Sequence, residues 1–108
     1  MSFDPLAAAL DWFEAYRAGK IEIILAMYAE DAVIRCGCGG MKAIAGPKGR
    51  RAYWIDRLNE YPATQLAELQ PADDGALISY GVRDHVVRAI LAFNARGQIA
   101  LHTCGRSH

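Results

Sequence analysis

Residues Ile23 to Cys36 read I-I-L-A-M-Y-A-E-D-A-V-I-R-C, and the apolar repeat changes inside this stretch. Ile24, Leu25 and Tyr28 recur at helical spacing. After Asp31 the pattern becomes Ala32, Ile34, Cys36 and Cys38 on one face, the period of a strand. A helix hands over to a strand with almost no loop between. One short segment closes a helical hairpin and opens a sheet.

The flanking segments extend that reading. Asp4-Pro5 is an N-cap followed by proline at the first helical position. Leu6, Leu10, Phe13 and Tyr16 or Arg17 recur at steps of three and four, and Gly19 ends the helix. A second helix starts at Lys20, with Ile21, Ile24, Leu25 and Tyr28 as its buried stripe. The first strand is expected over 32–38, a bend or bulge at Gly37, Gly39 and Gly40, and a short second strand over 41–45. Gly46-Pro47-Lys48-Gly49 opens a third helix, whose face is Arg51, Trp54 or Ile55, Leu58 and Tyr61. Pro62 stops it, because the residue before proline avoids helical angles. From Ala63 the helical period is gone. Strands are expected over 64–70, 76–82, 86–94 and 98–105, joined by turns at Asp73-Asp74-Gly75, Arg83-Asp84-His85 and Ala95-Arg96-Gly97, an antiparallel meander. The predicted class is α+β: three helices of the N-terminal half packed on a strongly bent, mostly antiparallel sheet of about six strands, a cone-shaped barrel. The 108 residues suit one domain, 1–108.

Composition removes several function classes. Lys plus Arg is 12 and Asp plus Glu is 12, so the basic excess of a nucleic-acid binder is missing. No apolar run approaches the roughly 20 residues of a membrane span. Met1 to Pro5 lacks a basic region, and Asp11 and Glu14 interrupt the alanine-rich run, which argues against an export signal. Three cysteines, an odd number, are then expected to be reduced, in a cytoplasm.

The segments Ala18-Gly19-Lys20, Tyr28-Ala29-Glu30-Asp31-Ala32, Ile44-Ala45-Gly46 and Phe93 to Ile99 together resemble the nuclear-transport-factor-2-like superfamily, in its ketosteroid-isomerase and SnoaL-like branch. The resemblance covers nearly the whole chain and implies the cystatin-like cone fold. That fold hosts isomerases, dehydratases, epoxide hydrolases, cyclases and binding modules, so function has to come from the site. Where the resemblance puts the isomerases' proton-shuttling aspartate, this chain has Cys36. Where it puts the oxyanion tyrosine, the chain has Trp12. The neutral aspartic acid falls near Ala89. All three depart from the isomerase pattern.

The strand registers choose the candidate lining. Inward-facing Cys36 takes Ile34 and Cys38 with it. On the last strand Ala100, His102 and Cys104 point inward and Ile99, Leu101 and Thr103 outward. On the strand before it Val87, Ala89, Leu91 and Phe93 point inward. Trp12, Tyr16, Tyr28, Trp54 and Tyr80 are the aromatic walls. His102, Cys36 and Tyr16 are the candidate catalytic groups, with Asp84 in support. Trp12, Tyr28, Ile34, Cys38, Trp54, Tyr80, Ala89, Leu91 and Cys104 are the candidate ligand contacts. Histidine suits acid–base work, and equally a hydrogen-bonded core position. The thiols with His102 form a soft ligand set, but spacing by two along a strand is not a zinc knuckle. Buried cysteine also serves as a small hydrophobe. No metal and no cofactor is expected. The basic residues Lys48, Arg50, Arg51 and Arg57 read as a solvated helix face or as an anion site. The expected partners are a small hydrophobic or aromatic molecule and a second copy of the chain, bound through the apolar outer sheet face. An isomerase, dehydratase or hydrolase, a non-catalytic small-ligand binder and a protein-interaction module that uses its sheet are the three readings left open.

Overall fold

Asp4 starts the first helix as its residue type predicts: its Oδ1 accepts from the backbone N–H groups of Leu6, 3.0 Å, and Ala7, 3.3 Å. In the computed structural model, which describes residues 3–37, 42–83 and 85–106, this helix is α1 (Pro5–Ala18). Gly19 ends it in the left-handed conformation, φ 71°. The rest of the chain runs α2 (Ile21–Ala26), β1 (Tyr28–Cys36), β2 (Lys42–Ala45), α3 (Pro47–Glu60), β3 (Ala63–Ala72), β4 (Gly75–Val82), β5 (His85–Phe93) and β6 (Ile99–Arg106). Three helices pack on a six-stranded sheet of order β2-β1-β6-β5-β4-β3. The expected meander is present as β3 to β6, all antiparallel, and β1 joins it by a parallel pairing with β6. The sheet does not close, so β2 and β3 are its edges.

Four expectations need correction. Tyr28 is not the last residue of a helical stripe. It opens β1, because the Met27 carbonyl accepts from Ile99 N–H at 2.9 Å and Tyr28 pairs with Ile99. Leu10 is exposed, and the buried face of α1 is Ala9, Trp12, Phe13 and Tyr16, at steps of three and four. On α3 the buried positions are Arg50, Trp54 and Arg57, one residue round from Arg51, which is exposed. Ile99 is buried, not outward. The pairing between β5 and β6 slips between Ala92 and Phe93, so alternation on β6 restarts beyond Ile99. Cys38, Gly39, Gly40 and Asp84 lie outside the described residues, and the bulge expected near them with them.

Two close approaches fix the meander. A Cβ at Gly75 would run into the Leu91 carbonyl oxygen, so only glycine opens β4 beside β5. Phe3 packs edge-on to Phe93, ring centroids 5.0 Å apart, and ties the N-terminus to the end of β5. The core lies between the helices and the inner face of β1, β6, β5 and β4. Its largest fully buried side chains include Trp12, Trp54, Tyr16, Tyr80 and Phe13.

Candidate functional site

The parallel pairing of β1 with β6 assembles the inner wall. Ile34 sits opposite His102, and Cys36 opposite Cys104. On the other side of β6, His102 pairs with Leu91 and Cys104 with Ala89. All six are buried on one face. Over them stand Trp12 and Tyr16 from α1 and Trp54 from α3, with Tyr80 from β4 alongside. The described candidates are therefore brought together, while Cys38 and Asp84 lie outside the described residues.

The rings form one continuous cluster. Trp12 meets Tyr16, Trp54, Tyr80 and His102 edge-on, with centroids 5.3–5.8 Å apart. Tyr16 meets Trp54 at 4.9 Å and Tyr80 at 5.3 Å. Tyr53, which the sequence reading passed over, stands edge-on to Trp54 and His102, and its hydroxyl lies 3.6 Å from Cys104 Sγ. Edge contacts of this kind are worth about 0.5–1.5 kcal/mol per pair beyond area burial. Three clefts lined by described residues lie away from the rings: one beside Glu30, Asp31, Asn94 and Arg96, two along α1 and the end of α2.

A chain of polar contacts runs through these rings. Trp12 Nε1 donates to Tyr28 Oη at 3.2 Å, and Tyr28 Oη lies 2.8 Å from His102 Nδ1. An indole N–H only donates. The Tyr28 proton therefore goes to Nδ1, and the network assigns the histidine proton to Nε2. Trp54 Nε1 also lies near the Tyr28 hydroxyl and acts on its titration, but makes no hydrogen bond with it. Burial pushes the Tyr28 hydroxyl well above its ordinary pKa. Burial, reinforced by the Arg57 charge and opposed by Cys36, lowers the His102 pKa to about 3. Burial therefore keeps the imidazole neutral at neutral pH.

The sequence pattern leaves Arg57 either on a solvated helix face or in an anion site. It is 4% exposed. Its Nε donates to Tyr16 Oη at 3.1 Å, Tyr16 Oη donates in turn to the Tyr61 carbonyl, and the guanidinium lies over the Tyr61 ring at 5.2 Å. Burial opposes its charge, the oxygens of Tyr80, Tyr53 and Tyr16 favour it, and Arg57 stays protonated. No carboxylate among the described residues pairs with it. Arg50, buried two turns earlier on the same face of α3, gives its Nη1 to the Ala32 carbonyl at 3.1 Å and its Nη2 to the Glu30 carbonyl at 3.2 Å. Lys48 and Arg51 do lie at the surface, and Arg51 forms a two-point pair with Glu22 at 2.7 and 2.9 Å. The signal that was missed is the step of four and three from Arg50 to Trp54 to Arg57.

Three buried polar atoms among the described residues have no hydrogen-bond partner: Trp54 Nε1, Arg57 Nη2 and His102 Nε2. All three belong to the ring cluster. No group of three or more histidine, cysteine, aspartate or glutamate side chains among the described residues is arranged to hold a metal ion.

A helical roof on an open mixed sheet, with an inward aromatic cluster, defines an α+β protein of the SnoaL-like fold. The chain is similar in structure to a SnoaL-like protein of unknown function from Burkholderia thailandensis, with a TM-score of 0.81, 16% identity, and 93% of this chain and 92% of that one covered. It is also similar to a protein from Kribbella flavida, with a TM-score of 0.82, 16% identity, and coverage of 98% and 88%. No family model matches the sequence, and no curated protein is similar to it. At this identity the likeness carries the fold. No helix among the described residues is long and apolar enough to cross a membrane.

Proposed function

We propose that the protein binds a small hydrophobic or aromatic molecule among the rings of Trp12, Tyr16, Trp54, Tyr80 and His102, without catalysing its conversion. The observation that carries the reading is the relay from Trp12 through Tyr28 to His102, which ends on an unpartnered Nε2 inside an aromatic wall. Burial of a donor without a partner costs about 1–3 kcal/mol, and a ligand oxygen removes that cost. Rings in edge contact are held by dispersion and quadrupole attraction rather than by hydrogen bonds, so a flat molecule enters by exchanging ring–ring contacts for ring–ligand contacts. Binding is favoured over catalysis because His102 is neutral and a weak base. In addition, no carboxylate among the described residues belongs to the cluster.

Titration of tryptophan fluorescence with a panel of small aromatic molecules tests this. Saturable quenching, weakened by His102→Ala while the circular dichroism spectrum is kept, is the expected result. A turnover of any panel member that disappears with His102→Ala or Cys36→Ser would replace the binder with an enzyme.

The outer face of the sheet is the proposed contact with a second copy of the chain, in the cytoplasm. Val86 and Ile90, at 38% and 42% exposure, leave an apolar strip on β5 that a partner sheet covers. Light scattering that gives the mass of one chain at micromolar concentration ends this part of the proposal.

A further inference from the structure

The open polar atoms of the cluster share one property. Trp54 Nε1 only donates, Arg57 Nη2 only donates, and the relay from Trp12 assigns a proton to His102 Nε2. Three side chains, each more than nine-tenths buried, thus offer hydrogens with no acceptor to meet them. One of the three carries a full charge. A buried guanidinium normally faces a carboxylate, because an unpaired buried ion is among the costliest features a core can hold. Here its polar contacts are the hydroxyls of Tyr16 and Tyr80 and the face of the Tyr61 ring, with no carboxylate among the described residues.

Spacing ties the three together. Trp54 and Arg57 are one turn apart on the buried face of α3. Tyr16 bridges them, with its ring 4.9 Å from that of Trp54 and its hydroxyl on Arg57 Nε. The Trp54 and His102 rings are 6.3 Å apart and nearly parallel, tilted by 31°. We propose that the missing partner is the carboxylate of the ligand, so that the site selects aromatic carboxylic acids, with Arg57 as the charge-pairing residue and Trp54 and His102 as neutral donors. This rests on the reading of the ring cluster as a binding site. The chemistry is specific. A carboxylate offers two oxygens with about four lone-pair positions and no hydrogen, which answers three donors without adding a fourth. A primary amide of the same shape has the same flat ring but brings two hydrogens and no charge, and its N–H groups would face donors.

The experiment compares matched pairs, benzoate with benzamide and 2-naphthoate with 2-naphthamide, by calorimetry at pH 7 on the wild-type chain, Arg57→Gln and Arg57→Lys. The proposal expects each acid to bind at least about tenfold tighter than its amide. It also expects Arg57→Gln to erase that preference and Arg57→Lys to keep part of it. Amides that bind wild type as well as their acids overturn the proposal while leaving the binding site intact. A preference for acids that survives Arg57→Gln overturns the assignment to Arg57. If neither acids nor amides bind at millimolar concentration, the binding-site reading itself falls. Should Arg57→Gln fail to fold, the wild-type ratio and Arg57→Lys decide.

Discussion

Arg50 and Arg57 lie on the same face of α3, seven residues and two turns apart, and are almost equally buried, 5% and 4% exposed. Their surroundings differ. Arg50 reaches across to β1 and gives both terminal nitrogens to backbone carbonyls near the helix-to-strand junction. Arg57 reaches into the ring cluster and keeps a terminal nitrogen without a partner. The first is a structural clamp on the junction, and the second is a held charge with an open hydrogen-bond donor. Burial alone does not tell the two apart. The acceptors around each guanidinium do.

Truncating both tests that contrast most directly. Arg50→Met should destabilise by about 2–3 kcal/mol in urea unfolding, because it strands the Ala32 and Glu30 carbonyls. Arg57→Met should lie within about 1 kcal/mol of wild type, or be more stable, because replacing a buried ion by an apolar chain removes a desolvation cost. The Tyr16 hydroxyl keeps the Tyr61 carbonyl in that variant. Equal losses for the two variants would break the comparison.

Tyr28→Phe should cost about 2 kcal/mol, since it leaves Trp12 Nε1 and His102 Nδ1 without the hydroxyl between them. Its effect on ligand binding sharpens the picture on the Arg57 side. With the relay cut, the His102 proton is free to sit on either nitrogen, and affinity for an acceptor should fall.

The pH dependence comes next. Burial lowers the folded His102 pKa to about 3 from an ordinary value of 6.5, so between these values the unfolded chain binds the extra proton. Stability is therefore fully present above pH 6.5 and lost as pH falls, at about 1.4 kcal/mol per pH unit for this one group. His102→Gln should flatten that part of the profile relative to wild type. Because the Arg57 charge is the second cause of the shift, Arg57→Met should raise the His102 pKa, while Arg50→Met should leave it in place. Chemical shifts of the imidazole protons report both.

The smallest effect belongs to the surface. Glu22 and Arg51 join α2 to α3 by a well-formed but solvent-exposed pair, which holds the Glu22 carboxyl below its usual pKa. Glu22→Gln should change stability less than any variant above, and salt should erase the difference.

Much of the architecture was legible because it is written in local patterns. Asp4 as a cap, Gly19 as a stop, Pro47 as a start and the alternation of Val87, Ala89 and Leu91 each depend on one or a few neighbouring residues. The inward register of Cys36, His102 and Cys104 followed from the same alternation. It failed at Ile99, where the β5–β6 pairing slips and restarts the count. Tyr28 fits a helical repeat and a strand start equally well in sequence. Only its pairing with Ile99, 71 positions away by number, assigned it to β1.

The sequence by itself determined the α+β order, the element boundaries within a few residues and the gathering of aromatic side chains, because periodicity and capping are properties of short segments. Tertiary structure alone decided which basic residues are buried, which of them is satisfied, and which polar atoms are left open. Those outcomes depend on what a side chain meets across the core, and Arg50 and Arg57 are the same residue type until β1 takes both terminal nitrogens of one and the ring cluster leaves Nη2 of the other open.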